Sequence, residues 1–177
     1  MLRLCRSLAF LASLVIPWLS SAADFQFGGV TLSIPGSYRG PVGASPAAGM
    51  ETVAFAGRGW PDSPANVLQL TRIELPVAPG DSTATLSKYL LEMLGGIERH
   101  RSAYSRTAPE YVRLGSLKAV RAGWKGSLQN LPTNGVMYCA IVGTRLLYFH
   151  AFGPGDVPDD ELKQAIRAIE ALGRHDS

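Results

Sequence analysis

Apolar and polar positions alternate along most of this chain, most clearly between Tyr111 and Pro154. Val136 to Val142 and Leu146 to Phe152 are two apolar runs on either side of Gly143-Thr144, a short loop of the kind that closes an antiparallel hairpin. With a two-residue turn there, paired positions sum to about 287, which sets Cys139 opposite Tyr148 and Met137 opposite His150. Upstream, Leu117 to Leu128 keeps a looser alternation that places Val120, Ala122, Trp124 and Leu128 on one face. After Pro154 the period changes: Leu162, Ala165, Ile166, Ile169 and Leu172 fall on one helical face. That helix is expected to begin near Asp156 or Val157, with Pro158 in its first turn, and to stop at Gly173. A helix so patterned forms a lid on the strands before it.

The earlier half follows the same logic. Phe25 to Ile34 reads as a first strand bent or bulged at Gly28-Gly29, Glu51 to Ala56 as a second and Val67 to Leu75 as a third. Ser37 to Gly49 has glycine and proline but little to bury, and is expected to be a mobile loop; Gly57 to Ala65 is a turn region carrying Trp60. From Ser82 to Ile97, Leu86, Leu90, Met93, Leu94 and Ile97 recur at helical steps behind the candidate caps Asp81, Ser82 and Thr83. Gly95-Gly96 weakens the last turn of this helix unless a neighbour packs closely there. Ser105 to Arg113 is an edge strand or extended loop. The order is three strands, a helix, three or four strands and a helix, without repeats or a dividing linker. Strands that follow one another directly favour an α+β class with a mainly antiparallel sheet of six to seven strands. Both faces of the 136–152 hairpin are apolar, so either helices cover each side or one side meets another molecule.

Composition changes this picture mainly at the N-terminus. Arg3 and Arg6 precede an apolar run from Leu8 to Leu19, and Ser20 to Ala23 supply small residues for cleavage. Residues 1–23 are thus expected to be a cleaved secretory signal, too short in its apolar core for an ordinary membrane span, leaving 24–177 as a single domain without later membrane insertion. Cys5 precedes the apolar core, so it is not a lipoprotein cysteine. Two of the 17 basic residues and none of the 14 acidic ones lie in the leader, which leaves the exported part nearly neutral. Interspersed charge of that kind gives no electrostatic reason to expect nucleic acid. With Cys139 the one cysteine after Ala23, stability has to come from packing, in a periplasmic or secreted setting.

Gly29-Val30-Thr31-Leu32-Ser33-Ile34-Pro35, the block Leu114-Gly115-Ser116-Leu117-Lys118-Ala119 leading to the Gly143-Thr144 hairpin, and the order of elements resemble the PsbP-like family. That family includes the extrinsic lumenal protein of photosystem II, a Ran-binding nuclear transport factor and small bacterial periplasmic proteins of the DcrB type. The likeness covers nearly all of the chain after the leader. It implies an antiparallel sheet flanked by helices, in a mostly non-enzymatic family whose members bind or assist other proteins. No binding-site residue of the family carries over to a position here.

Candidate chemistry is sparse. His100, His150 and His175 lack ligand spacing, so no metal is expected, and no cofactor motif is present; G-x-S-x-G is absent as well. Arg99, His100 and Arg101, with Arg106 nearby, either form an anion site or offset the macrodipole at a helix C-terminus. Trp60 and Tyr38 on loops, with Trp124 and Tyr148, are the aromatic candidates for the rim of a ligand or partner cleft. Cys139 and His150 are diagonal neighbours in the expected register, within reach of a thiol-imidazole pair or of ordinary core positions. Three readings follow. The first is an exported, non-catalytic binding or accessory protein, monomer or weak dimer, that contacts an envelope protein or a small apolar ligand. The second is a small thiol enzyme or hydrolase using Cys139 and His150. The third is an immunity-type inhibitor that acts through a sheet edge or the 37–49 loop.

Overall fold

The computed structural model describes residues 22–47 and 49–172. The expected leader lies outside them apart from Ala22 and Ala23, and so does the expected helix stop at Gly173. The described chain runs β1 (Ala23–Phe27), β2 (Val30–Ile34), β3 (Arg39–Ala47), β4 (Met50–Ala56), β5 (Val67–Glu74), α1 (Thr83–Glu98), β6 (Ser102–Arg106), β7 (Glu110–Leu114), β8 (Leu117–Leu128), β9 (Leu131–Val142), β10 (Arg145–Pro154) and α2 (Asp160–Glu170). The class is α+β and every pairing is antiparallel. β1 and β2 form a separate hairpin, and the other strands make an eight-stranded sheet in the order β3-β4-β5-β10-β9-β8-β6, with β7 also on β8.

Three segments add strands to the six or seven expected. Phe25 to Ile34 is two strands, because Gly28 and Gly29 have φ of +62° and +90° and turn the chain back so that Phe27 pairs with Val30. The expected mobile loop at 37–49 is instead largely β3, paired with β4. As the sheet's outer strand it can hold Pro41 and Pro46 without breaking a central ladder. Ser105 to Arg113 contributes to two short strands laid one after the other along β8.

The central hairpin has the expected register, with Tyr148 opposite Cys139 and His150 opposite Met137. β10 lies between β5 and β9 and is buried along nearly its whole length, as a strand covered on both faces must be. On one face α1 sets Leu86, Leu90 and Leu94 against Val120, Trp124, Met137, Cys139 and Tyr148. Ser82 caps it, its Oγ accepting from Thr85 N at 3.2 Å. On the other face α2 and the β1–β2 hairpin share the cover, packing Leu162, Ala165, Ile169, Phe27 and Leu32 on Leu68, Tyr138, Leu147 and Phe149. α2 starts later than expected: Asp159 caps it by accepting from Leu162 N at 2.7 Å, and Pro158 lies before the cap. Leu128, expected on the buried face, is 41 % exposed at the tip of the β8–β9 hairpin.

Candidate functional site

A cleft opens among the described residues where β6, β8 and β9 meet. Cross-strand pairs there are Ser105 with Lys125, Lys125 with Asn134, Trp124 with Gly135 and Gly123 with Val136. Paired residues point to the same side of a sheet and successive ones to opposite sides. Trp124 therefore lies on the α1 side, while Gly123, Lys125, Asn134 and Val136 lie on the α2 side.

The α1 side is full at this point. A Cβ on Gly135 would come within 2.7 Å of Phe152 Cβ and 2.8 Å of Trp124 Nε1, so glycine is required for the rings to close over the strand. Trp124 is buried, and its Nε1 donates to His150 Nε2 at 3.0 Å. Phe152 stacks on His150 at 4.4 Å between centroids, and the Arg101 guanidinium lies 5.5 Å over the indole. Burial, helped by the Arg101 charge, pushes the His150 pKa down to about 3. The imidazole is neutral, and with Nε2 accepting, its proton sits on Nδ1.

The α2 side is open. A Cβ on Gly123 would meet nothing nearer than 3.9 Å. α2 and the strand hairpin stop short of it, which leaves a cleft of about 340 Å³ bounded by Gly123, Val136, Pro158, Ser105, Lys125 and Asn134. The Lys125 amine makes no ion pair among the described residues, whereas Lys118 is bound to Asp81 and Lys163 to Asp160. Asn134 is 2 % exposed; its Nδ2 donates to Gly155 O at 2.9 Å and its Oδ1 has no partner. The carbonyl it faces can only accept, which fixes Nδ2 on that side and Oδ1 on the other.

The residues singled out from sequence are scattered by the fold. Trp60 is 49 % exposed and lines neither this cleft nor the smaller cavity beside Tyr38. Tyr38 and Tyr148 are core residues rather than an open rim: Tyr38 Oη donates to Glu161 O at 3.4 Å and Tyr148 Oη to Tyr89 O at 3.1 Å. Tyr38 also walls a smaller cavity of about 200 Å³ with Phe25 and Phe55. Burial raises both phenol pKa values. Trp124 alone of the four borders the large cleft. Cys139 and His150 are diagonal neighbours as the register requires, but the imidazole Nε2 is taken by Trp124. Burial pushes the Cys139 thiol up to about 12. Arg101 is drawn to Trp124, so the basic group after α1 does not converge as one anion site. Among the described residues no three His, Cys, Asp or Glu gather as metal ligands would.

Sequence reasoning missed Gly123, Lys125, Asn134 and Ser105. The available signal was glycine inside a strand pattern at Gly123 and Gly135, which marks close backbone approach or a bare patch of sheet. It also missed the polar network that positions α2. Asn66 Nδ2 donates to the Asp159 carboxylate at 3.0 Å and to Glu161 Oε2 at 2.9 Å, and Tyr138 Oη donates to Glu170 Oε1 at 2.9 Å beside Arg121.

No family model matches the chain, and no curated protein matches it in sequence. Solved structures do share its fold. Cyanobacterial PsbP from Synechocystis sp. PCC 6803 superposes with a TM-score of 0.60 at 12% identity, covering 92% of this chain and 97% of that one. LpqN of Mycobacterium tuberculosis, involved in cell envelope biogenesis, gives 0.55 at 15% identity over 84% of this chain and 82% of its own. A Bacteroides thetaiotaomicron protein gives 0.55 at 11% identity over 87% of this chain, which spans about half of it, 48%. Eight sheet strands, a separate hairpin and two helices on opposite faces are, in this chain, the PsbP-like fold.

Proposed function

We propose that this is an exported, non-catalytic binding protein of the cell envelope, working by contact with another envelope protein or a small ligand with apolar surface. The observation that carries the proposal is the separation of chemistry from access. The pair singled out for nucleophilic or acid–base work, Cys139 and His150, is buried and neutral. The open cleft is lined instead by groups that bind without reacting, among them Gly123, Val136, Pro158, Ser105 and Thr107, with the cations Lys125 and Arg106. The leader pattern at residues 1–23 and the fold held in common with an envelope-biogenesis protein add support.

The experiment is capture from envelope extract by the purified protein, paired with a thermal-shift screen of small carboxylates and lipids. Saturable capture or a dose-dependent rise in melting temperature is expected, with no turnover of ester or thioester substrates. Turnover that disappears in Cys139→Ala or His150→Gln while the melting temperature holds would overturn the proposal in favour of the thiol enzyme.

A further inference from the structure

The eight-stranded sheet has two edges. β3 lies at one, and β6 and β7 lie in line at the other, both paired to β8. An edge strand presents backbone groups that another chain can pair with, and proteins blunt such edges with prolines and bulges. β3 holds Pro41 and Pro46, which lack an N–H, and its register shifts between Arg39 and Gly43. β6 shifts register between Ser102 and Ser105, where Ala103 has a φ of +49°. β7 has neither device: its 5 residues pair with β8 one for one, from Glu110 with Arg121 to Leu114 with Leu117.

Gly115 and Ser116 make the two-residue turn from β7 to β8, with Gly115 at a φ of +61°, so Leu114 and Leu117 are a hydrogen-bonded pair. Such pairs alternate along an antiparallel ladder. Val112 and Glu110 therefore also bond to β8, while Tyr111 and Arg113 turn their N–H and C=O groups outward. Among the described residues no other strand or loop backbone bonds to these groups. They are complementary to themselves. A second copy laid antiparallel with Val112 against Val112 sets each Tyr111 opposite the other copy's Arg113, and each pair exchanges two hydrogen bonds through groups that are free. Centring on Tyr111 instead would set Arg113 against Pro109, which has no N–H to give. Side chains fit the same register: Tyr111 is 47 % exposed, and Arg113 Nε, which donates to Tyr111 Oη of its own strand at 3.4 Å, comes beside the facing phenol as well.

We propose that β7 is a docking edge for a second copy of this chain, giving a two-fold dimer in which the β7 strands pair antiparallel about Val112 and the two sheets run on as one. Two strands of 5 residues make a small interface, so the dimer is reversible, with a Kd of about 10 µM to 1 mM. It needs no residue of the cleft at Gly123 and stands apart from the binding function proposed above.

The test is sedimentation velocity of the purified protein across that concentration range, with the melting temperature of each variant as the check on its fold. The sedimentation coefficient should climb from monomer to dimer. Tyr111→Pro removes an N–H that no internal bond uses, so it should abolish the dimer and keep the fold; if its melting temperature drops, Arg113→Pro repeats the test at the other free N–H. Tyr111→Arg sets like charges opposite each other and should weaken association at least tenfold, and adding Arg113→Glu should restore it. Val112→Cys places two thiols on the two-fold axis, with Cα atoms about 4.5 Å apart. Mild oxidation should then link the copies, whereas Tyr111→Cys, about 8 Å from its own counterpart, should stay unlinked. A monomer at every concentration overturns the proposal, as does a dimer that survives both proline variants, a charge pair that restores nothing, or a Val112→Cys variant that stays unlinked. If the chain is monomeric and Tyr111→Pro loses a partner captured from envelope extract, the edge takes a foreign strand; the second copy then falls and the contact function stands.

Discussion

The two faces of the central sheet are covered in different ways. On the α1 side one sixteen-residue helix lays three fully buried leucines on the strands, and the remaining space fills with rings: Trp124, His150, Phe152 and Tyr104. Polar groups there are few: Trp124 donates to His150 and Tyr148 to Tyr89 O, while Tyr104 Oη and Arg101 Nε beside the indole are buried without a partner. On the α2 side an eleven-residue helix and the β1–β2 hairpin divide the work, and charged groups fix the helix at both ends. Asn66 joins Asp159 and Glu161 at its start, and Arg121 and Tyr138 join Glu170 at its end. Two short covers leave part of their face bare where one long cover does not, and the cleft at Gly123 lies on that bare part.

Both faces should lose most when a large core side chain is removed. Phe149→Ala on the α2 side is expected to cost about 4 kcal/mol and Leu90→Ala on the α1 side about 3 kcal/mol, read as the change in urea midpoint. A face on which the loss is under about 1 kcal/mol is not packed as described.

The second effect belongs to the α1 side. His150 has its pKa lowered from 6.5 to about 3 in the folded protein, so below pH 6.5 the unfolded chain takes up a proton that the folded one refuses. Stability from this group is full above 6.5 and is lost as pH falls toward 3. Between neutrality and about pH 4.5 the loss should approach about 2 kcal/mol, and His150→Gln should remove that part of the slope. An unchanged slope would show that the imidazole is not buried neutral.

Third, the hydroxyls of Tyr138 and Tyr148 compare the faces directly. Tyr138→Phe removes a bond to a carboxylate and should cost about 2 kcal/mol, against about 1 kcal/mol for Tyr148→Phe, whose partner is a backbone carbonyl. Equal losses in chemical denaturation would show that the carboxylate partner of Tyr138 adds nothing over the backbone partner of Tyr148. The smallest effect is a gain: Gly95→Ala in α1, with nothing within 4 Å of a new Cβ, should stabilise by about 0.5 to 1 kcal/mol in the same assay.

Legibility in the sequence followed the strength of burial. The β9–β10 register could be read to the residue because both runs are apolar and a two-residue turn sets their pairing. α1 was equally plain from its spacing and cap. The outer strand β3 was not, since its sequence is rich in proline and glycine and a strand at the sheet's edge needs no alternation. Gly28-Gly29 was misread as a bend for want of a partner strand, although two consecutive glycines between apolar runs also suit a tight reversal. The cleft was the least readable feature. It consists of side chains that are missing and covers that end early, and neither leaves a periodic mark.

The place of β10 in the sheet has a consequence for how the molecule comes together. Among the described residues its central strand is the last strand, and it stands between β5 and β9 in the sheet. Until residues 145–154 are free, the β3–β5 and β8–β9 pieces each keep a bare edge, and the sheet forms only when the final strand slots between them. A polypeptide threaded N-terminus first through a narrow passage keeps both of those edges bare until residues 145–154 have emerged.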